Sequence, residues 1–433
     1  MIKFVKNFIA RYFQKSRYKK NILTMVSGRV ISQLIPILLT PVLTRIYSPA
    51  EFGVFAVYST IISVLSMVSN LRYCLAIILA KDKKVARNLV FISSTFSIII
   101  VGFLAILLVW QGTFLFDFFN IEILKDYLWV LIFNILIVAL FESMFYYMLK
   151  TKKYKAFTII SIIQSVSLVL VRIGWGYWVN IETGLMVSYL ISYIIAYVLM
   201  LFTLGIFKGT SETKITKEGI RELLVEYRKF PIFSLPADTL ATLTNLSPNI
   251  LLNTFFGKVN AGYFSLSEKL LGAPLWFVTS SVGDVFRQEV AEQYKRKESC
   301  LPIFKKTAQG LFLFGLIPFI AIFFIFPPTI PFLFGSEWEP VGNFVRIFTL
   351  MYFAKFVVTP VSYVSYIIDK QRYYMYLQVM KFLAILIGLG IGFYTSNFYL
   401  GLILWSALLT LAYVVIYIIS YRLVKKVDDA PNN

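Results

Sequence analysis

Several ionisable side chains lie inside stretches of this sequence that are otherwise apolar enough to cross a bilayer. A charged side chain at mid-bilayer costs roughly 2.5–3.5 kcal/mol on insertion scales, so its presence there indicates a function. Bases outnumber acids in these stretches, and a positively charged cavity favours an anionic substrate such as a phosphate or pyrophosphate group. We therefore predict a cationic substrate-binding cavity formed by Arg29, Arg172, Lys269, Lys355 and Lys381.

The acids and amides of the same stretches allow more than one interpretation. Intramembrane carboxylates are proton or cation sites, or they hold neighbouring bases in place. Polar stripes at helical spacing, such as Asp238, Thr242 and Asn245, indicate either the wall of a water-filled cavity or a helix-packing surface. Snorkelling or buried pairing would also explain Arg29, Lys381 and Asp238. The candidate cavity and ion-coupling residues are Gln33, Glu142, Asp238, Glu268 and Asn245.

Composition identifies the class of protein that carries these residues. Hydrophobic residues make up 58% of the 433 positions and charged residues only 15%, whereas soluble domains have roughly 45–50% and 25%. The mean hydropathy is +0.76. These values predict an all-α polytopic membrane protein with about twelve transmembrane helices, because each span takes about 20 apolar residues.

The basic residues of the chain follow an alternating pattern. The formal net charge is +20, and Lys and Arg gather in the N-terminal arm, in every second connection and in the C-terminal tail. By the positive-inside rule, both termini are then cytoplasmic, and the charge predicts topology rather than nucleic-acid binding. Cys74 and Cys300 both fall on the cytoplasmic side, so we expect no disulfide.

An internal repeat divides the predicted spans into two lobes. Phe52-Gly53-Val54-Phe55 in the first half corresponds to Ala261-Gly262-Tyr263-Phe264 in the second. Because both copies begin on the same side, we predict a parallel repeat of about six helices per lobe, related by a pseudo-two-fold axis along the membrane normal. The predicted segments are an amphipathic cytoplasmic segment (1–21), an N-lobe (22–206), a cytoplasmic linker (207–229), a C-lobe (230–421) and a cytoplasmic tail (422–433).

Sequence motifs for catalysis are missing. The chain has no histidine, no G-x-x-x-x-G-K-[ST] loop, no C-x-x-C pair and no G-x-S-x-G elbow. We therefore predict a protein that is not an enzyme, without catalytic residues, metal or cofactor. A membrane polymerase or ligase would also need a large extramembrane loop, which the predicted spans leave no room for.

Three stretches of the chain resemble one family. They are GRVISQLIPILLTPVLTRIYSPAEFGVFAVYSTIISVLS from Gly28, RYCLAIILAKDKKVARNLV from Arg72, and YRKFPIFSLPADTLATLTNLSPNILLNTFFGKVNAGYFSLSEK from Tyr227. They resemble the Wzx-type flippases of the multidrug/oligosaccharidyl-lipid/polysaccharide exporter superfamily. In that family the second stretch has an R-Y-E-x-A-I pattern, and Cys74 stands here in place of its acid.

This resemblance implies a two-lobed, MATE-like fold that moves undecaprenyl- or similar polyprenyl-pyrophosphate-linked oligosaccharides to the outer leaflet by alternating access. The protein would be a transporter of the bacterial cytoplasmic (inner) membrane that serves O-antigen, capsule or a similar surface polysaccharide. Its partners would be the lipid-linked oligosaccharide and membrane lipids, with a polysaccharide polymerase and a chain-length regulator left open. H⁺ and Na⁺ stay open as coupling ions. A cation-coupled multidrug exporter of the MATE type and a polysaccharide polymerase or ligase are the alternative functions.

Overall fold

A computed structural model gives the fold, and within it the described part of the chain is helical throughout, without a strand. Two compact units emerge from the contacts between residues. The N unit contains the residues up to Tyr47 together with Val57–Leu243, and the C unit contains Ser48–Ala56 together with the residues from Thr244 onward. The structure describes residues 28, 30–119, 121–205, 216–296, 298–367 and 371–429.

Local capping sets the bounds of several helices of the N unit. The side chain of Asn180 accepts a hydrogen bond from the backbone N–H of Glu182 and starts α7, and Gly205 ends that helix with a φ of 69°. The side chain of Thr216 caps α8 in the same way. The helices are α1 (Val30–Leu43), α2 (Pro49–Ser69), α3 (Tyr73–Leu79), α4 (Lys83–Phe118), α5 (Leu128–Lys150), α6 (Tyr154–Trp178), α7 (Ile181–Leu204) and α8 (Lys217–Glu226).

The second half of the chain begins with a π-helical turn, Phe230–Ser234, which contains Pro231 and leads directly into α9. Gly257, at a φ of 84°, makes the tight connection between α9 and α10. The helices that follow are α9 (Leu235–Phe256), α10 (Lys258–Lys295), α11 (Leu301–Phe324), α12 (Phe326–Phe334), α13 (Val341–Ser362), α14 (Val364–Ile367), α15 (Gln371–Tyr394) and α16 (Phe398–Asp428).

Within the described ranges, eight helices are long and apolar enough to cross a membrane, so the protein is a multi-pass membrane protein, as predicted. Helix α1 and the segment Gln378–Tyr394 are apolar but shorter. Helices α9 and α10 coincide with the predicted spans 230–255 and 259–281, yet their polar residues keep them out of the apolar set. Among these residues are the candidates Asp238, Asn245, Glu268 and Lys269.

Two helices have their ends in different units. Helix α2 begins in the C unit and continues in the N unit from Val57, whereas α9 begins in the N unit and continues in the C unit from Thr244. The predicted division into lobes of about six helices each, separated by the linker 207–229, stays a prediction.

A sharp break in the backbone separates α2 from α3. Leu71 and Arg72 have positive φ angles of 48° and 58°, in the left-handed region that residues with a side chain rarely adopt. The side-chain oxygen of Asn70 accepts a hydrogen bond of 2.9 Å from the Arg72 N–H and stabilises the turn. The residues after the break, Tyr73 and Cys74, are buried in the core of the N unit. The break therefore fixes the position of Arg72 between packed helices.

The last residue of α16 holds the first turn of α11. Asp428 accepts hydrogen bonds of 2.9 Å from the N–H groups of both Cys300 and Leu301, and one of 2.6 Å from the hydroxyl of Ser299. A carboxylate at this place satisfies N–H groups that a helix start leaves unpaired, and it opposes the positive end of the helix dipole. Phe286 and Phe304 pack beneath it in the core of the C unit.

Candidate functional site

The N unit holds a cluster of ion pairs around Arg72. Its Nη1 donates to Glu142 Oε1 at 2.9 Å, while Nε and Nη2 both donate to Asp238 Oδ2, at 2.8 and 2.7 Å. Asn70 Nδ2 donates to the other oxygen of Glu142 at 2.7 Å. Glu142 lies on α5 and Asp238 in the first turn of α9. One guanidinium, placed by the backbone break, thus joins α5 to the start of α9.

The three charges of this cluster differ in exposure. The side chains of Arg72, Glu142 and Asp238 are 15%, 25% and 38% exposed. In the part of the chain that the structure describes, two side chains donate to Glu142 and Arg72 alone donates to Asp238, so Asp238 is the partner that can separate with the smaller loss. Two carboxylates face one guanidinium, and the surplus negative charge would attract a proton or a cation.

Arg172 belongs to a different polar region of the N unit. It is buried on α6, and its Nε donates to the hydroxyl of Ser188 at 3.1 Å. The hydroxyl of Tyr47 donates to the carbonyl oxygen of Arg172 at 2.6 Å. A Cβ at Gly184 would collide with that hydroxyl, so the packing around Tyr47 is close. Arg172 thus lies within the helix packing of the N unit, and its part in a substrate-binding cavity stays a prediction.

The C unit holds a second cluster, in which bases are in excess. Lys355 on α13 and Glu268 on α10 are near enough to attract each other, and Asn249 on α9 makes a side-chain hydrogen bond with Glu268. Lys381 on α15 is close to Lys355. The cluster therefore contains two ammonium groups and one carboxylate, and the carboxylate attracts Lys355.

Aromatic rings replace the missing acid. Lys355 Nζ lies 5.2 Å from the ring centre of Tyr352, and Lys381 Nζ lies 4.9 Å from that of Tyr413. A ring face attracts a cation but leaves its hydrogen-bond donors unused. In the part of the chain that the structure describes, no carboxylate lies within ion-pair distance of Lys381. Its ammonium group can therefore donate to an added anion.

A cavity of about 60 Å³ adjoins Lys381. Among the described residues, the Gln378 side-chain oxygen meets no hydrogen-bond donor although Gln378 is buried, and the oxygen of Asn249 is in the same situation. Unpaired buried polar atoms are costly and indicate a place where a polar ligand or water belongs. The cavity is lined by Val358, Thr359, Ser362, Tyr363, Gln378, Lys381, Tyr413 and Ile416.

The remaining candidates are less informative. Arg29 lies outside the described residues, and the side chain of Gln33 is exposed. Lys269 and Asn245 both take part in interactions within the structure. Of the predicted set, the structure brings together Glu142 with Asp238, Glu268 with Lys355, and Lys355 with Lys381. It contains no group of three or more His, Cys, Asp or Glu side chains suited to a metal in the described ranges.

Sequence reasoning missed Arg72, the centre of the N-unit cluster. Arg72 entered the sequence analysis only as the first residue of the second stretch that resembles the flippase family, and no role was given to it. One signal was available. The stripe of Ser59, Ser63 and Ser66 on α2 continues through Asn70 to Arg72, and a polar stripe that ends on a base indicates a buried partner.

Comparison with known proteins gives three results. The sequence pattern of the family described as "Polysaccharide biosynthesis protein" matches residues 42–343. The amylovoran biosynthesis protein AmsL of Erwinia amylovora is 25% identical over 122 residues, and this match spans only 31% of that relative's length and 28% of this chain.

Two solved structures share the fold over nearly their whole length. The lipid II flippase MurJ in an inward closed conformation has a TM-score of 0.71 at 13% identity, covering 95% of this chain and 93% of its own. An inward-facing multidrug resistance MATE family transporter of the MOP superfamily has a TM-score of 0.67 at 13% identity, with coverages of 94% and 95%. At such identities the likeness shows the fold, and it confirms the predicted all-α, MATE-like architecture.

Proposed function

Because the chain belongs to the polysaccharide biosynthesis protein family, we propose that it is a flippase for polyprenyl-pyrophosphate-linked oligosaccharide repeat units. It would carry them across the bacterial cytoplasmic membrane by alternating access, for the synthesis of O-antigen, capsule or a similar surface polysaccharide. The MATE-like fold, shared with a lipid II flippase and with MATE transporters, supports this proposal.

The observation that carries the proposal is the base-rich cluster of the C unit. Lys381 has a ring on one side and a cavity on the other, and its donors are free for the oxygens of a phosphate. Gln378 offers an unpaired oxygen to a hydroxyl group, and Tyr413 offers a ring face. A pyrophosphate joined to a sugar needs all three kinds of contact. Arg29, Arg172, Lys269 and Lys355 are proposed as further contacts to the substrate.

We assign the acidic residues to the coupling of transport to the binding of a proton or Na⁺. Asp238 and Glu142 share one guanidinium, so proton or Na⁺ binding would relieve their surplus negative charge. Glu268 offsets the charge of Lys355, with Gln33 and Asn245 as additional polar groups of the transport path. No catalytic step is assigned to any of these residues.

The proposed orientation of the chain in the membrane follows from the pattern of its charges. We place both termini and the lysine-rich connections in the cytoplasm, and the lysine-poor connections outside. The polysaccharide polymerase and the chain-length regulator that act on the exported unit are the proposed protein partners.

The test is an analysis of lipid-linked oligosaccharides in a strain that lacks this protein. Accumulation of complete repeat units on the cytoplasmic side, with loss of the surface polymer, is the expected result. Units that reach the outer leaflet but stay unpolymerised would identify a polymerase or ligase instead. An unchanged pool and unchanged polymer would exclude both.

A multidrug exporter of the MATE type is the second candidate, and the N-unit cluster favours it. Two carboxylates against one guanidinium suit cationic drugs better than anions. The deletion strain would then become more sensitive to cationic dyes and antibiotics while its lipid-linked pool stays normal.

A further inference from the structure

The cavity beside Lys381 contains a buried hydrogen-bond acceptor that lacks a donor. Gln378 is only 8% exposed and lines the cavity, yet its Oε1 meets no donor among the described residues. Leaving a buried acceptor unpaired costs free energy, so a ligand of this cavity should bring a donor. Lys381, three positions further along α15, lines the same cavity and attracts negative charge. The ligand should therefore be an anion that also carries a hydroxyl group.

The size of the cavity restricts this anion. Its volume is about 60 Å³, which is room for a few water molecules or for one phosphate-sized group. Pockets for drug-sized ligands measure roughly 300–1,000 Å³. A pyrophosphate joined to a sugar would have to extend beyond the cavity, so the cavity itself accepts a single phosphate group.

The charges around the cavity select among anions of this size. In the described ranges, the C-unit cluster contains the ammonium groups of Lys355 and Lys381 and the carboxylate of Glu268, a surplus of one positive charge. Inorganic phosphate or a phosphate monoester that keeps its second proton has one negative charge and a P–OH group. Sulfate has two negative charges and no proton, and a pyrophosphate diester has no P–OH group. The protonated phosphate therefore matches both the charge surplus and the unpaired acceptor.

Hydroxyl groups on α13 complete the surroundings of the cavity. Thr359 and Ser362 both line it and lie three positions apart, on one face of the helix. The Ser362 hydroxyl donates to the carbonyl oxygen of Thr359 at 2.8 Å, whereas the Thr359 hydroxyl can donate to a phosphate oxygen. The ring of Tyr413, whose centre is 4.9 Å from Lys381 Nζ, holds the ammonium group at the cavity. A phosphate group would thus meet a charged donor, a hydroxyl donor and an acceptor.

We propose that this cavity is a binding site for a phosphate group that retains a P–OH, as inorganic phosphate and lipid phosphate monoesters do. The P–OH donates to Gln378 Oε1, while the other oxygens accept from Lys381 Nζ and Thr359. The inference deepens the proposed function and rests on it for its meaning. When the carrier lipid has lost its oligosaccharide, hydrolysis of its pyrophosphate yields a lipid phosphate monoester and inorganic phosphate. Both products carry a P–OH, so the protein would bind a product of the spent carrier as well as the loaded one.

The test measures how anions raise the unfolding temperature of the purified full-length protein in detergent. At about pH 6, roughly half of a phosphate monoester retains its second proton. Sodium phosphate and sodium sulfate are compared at equal ionic strength, and the stabilisation at each concentration gives the Kd. Because only phosphate pairs the Gln378 oxygen, we expect it to bind roughly ten-fold more tightly than sulfate. Equal binding of the two anions would overturn the proposal.

Gln378→Met is the decisive variant, since methionine has a similar shape and offers only a weak acceptor. It should bind sulfate as the parent does and lose the preference for phosphate. Without added anion it should unfold at the parent's temperature or higher, because it removes an unpaired buried group. Gln288→Met, at an exposed position of α10, is the matched control and should keep the preference. An undiminished preference in Gln378→Met would also overturn the proposal.

A second comparison distinguishes the two sources of the phosphate group. A short-chain polyprenyl monophosphate and its methyl ester have the same chain, but only the monophosphate has a P–OH. Binding of the monophosphate at least ten-fold more tightly than inorganic phosphate would identify the lipid headgroup as the ligand. Similar binding of the two would identify free phosphate. Equal binding of the monophosphate and its methyl ester would contradict the role of the P–OH.

These measurements are independent of the deletion strain. A preference for phosphate over sulfate, together with an unchanged lipid-linked pool in that strain, would retain the phosphate site and reject the flippase function. An accumulated pool, together with equal binding of phosphate and sulfate, would retain the flippase function and reject the phosphate site.

Discussion

In the N unit, one guanidinium is shared by two carboxylates, whereas in the C unit the ammonium group of Lys355 is within electrostatic reach of one carboxylate, Glu268, and of a second ammonium group, that of Lys381. The first cluster is closed, because Arg72 donates to both acids and Asn70 supplies a further donor to Glu142. The second is open, because Lys381 faces a ring and a cavity. The cluster with surplus negative charge thus has its hydrogen-bonding groups occupied, whereas the cluster with surplus positive charge keeps a donor available for a ligand.

This difference indicates a structural role for the first cluster and a ligand-binding role for the second. A closed cluster stabilises the packing of α3, α5 and the start of α9, and it changes only when a partner is lost or protonated. An open cluster keeps donors and acceptors for a ligand. We therefore expect changes in the C-unit cluster to act mainly on export and changes in the N-unit cluster to act mainly on stability.

Charge reversal at Lys381 should have the largest effect. Lys381→Glu turns the base surplus into an acid surplus beside the cavity, so surface polysaccharide should fall below detection. The neutral Lys381→Met removes only a charged hydrogen bond worth about 1.5–3 kcal/mol, which corresponds to a loss of about 10- to 100-fold. Export per copy of expressed protein is the measurement.

Lys84→Ala, at an exposed position of α4, is the control and should export normally. Because Lys381 is repelled by Lys355, the Met variant should unfold at the same temperature as the parent or higher. Normal export by Lys381→Glu would show that the open cluster does not meet the substrate.

Loss of Arg72 should be the largest stability effect. Arg72→Gln leaves Glu142 and Asp238 without a base, and breaking a buried pair costs about 3–5 kcal/mol. Since Asp238 is 38% exposed, water screens part of the repulsion, and we expect about 2–3 kcal/mol. Thermal unfolding in detergent is the measurement. Neutralising both acids, with Glu142→Gln and Asp238→Asn, should recover most of the loss, and a failure to do so would show that the charges do not matter.

A smaller effect on stability tests whether a carboxylate at position 74 can replace that of Glu142 as a partner of Arg72. The buried thiol of Cys74 lies beside Asn70 and within electrostatic reach of Arg72 and Glu142. Glu142→Gln should cost about 1–3 kcal/mol, and Cys74→Asp in the same chain should return about half of it by giving Arg72 a new partner. Cys74→Asn, which has the same shape without charge, should return nothing. Equal recovery by Asp and Asn would contradict an electrostatic role.

The sequence was sufficient for the class of fold. Hydropathy and the alternation of basic loops predict a multi-pass helical protein because insertion into lipid depends on composition over whole spans. Helices α9 and α10 show the limit of that rule. They are too polar to rank as apolar spans, yet they coincide with the predicted spans 230–255 and 259–281, the second of which carries the second copy of the repeat.

The site was predicted in parts. A buried charge is visible in a sequence, so Glu142, Asp238, Glu268, Lys355 and Lys381 were all recognised, and their roles stay predictions. The choice of partner for each charged side chain depends on tertiary packing. Arg72 reaches two acids only because the backbone breaks with positive φ angles at Leu71 and Arg72, a feature that apolar periodicity does not encode.

The smallest predicted effect extends the comparison to a carboxylate outside the membrane, where Asp428 binds neutral donors. Burial, together with the negative charge of Asp428, raises the pKa of the Cys300 thiol from 9.0 to about 11. The folded state therefore keeps a proton that the unfolded state loses first, so this contribution to stability is complete below pH 9.0 and is lost as the pH rises towards about 11. Cys300→Ser should flatten the alkaline fall of the unfolding temperature.

In a Cys74→Ser background, Asp428→Asn should lower the pKa of Cys300 and speed its alkylation at pH 8 a few-fold, because the thiolate is the reactive form. Asp429→Asn is the matched control, since Asp428 and not Asp429 accepts the hydrogen bonds from the start of α11. Equal alkylation rates in the two variants would show that burial alone, without the charge of Asp428, sets the reactivity of the thiol.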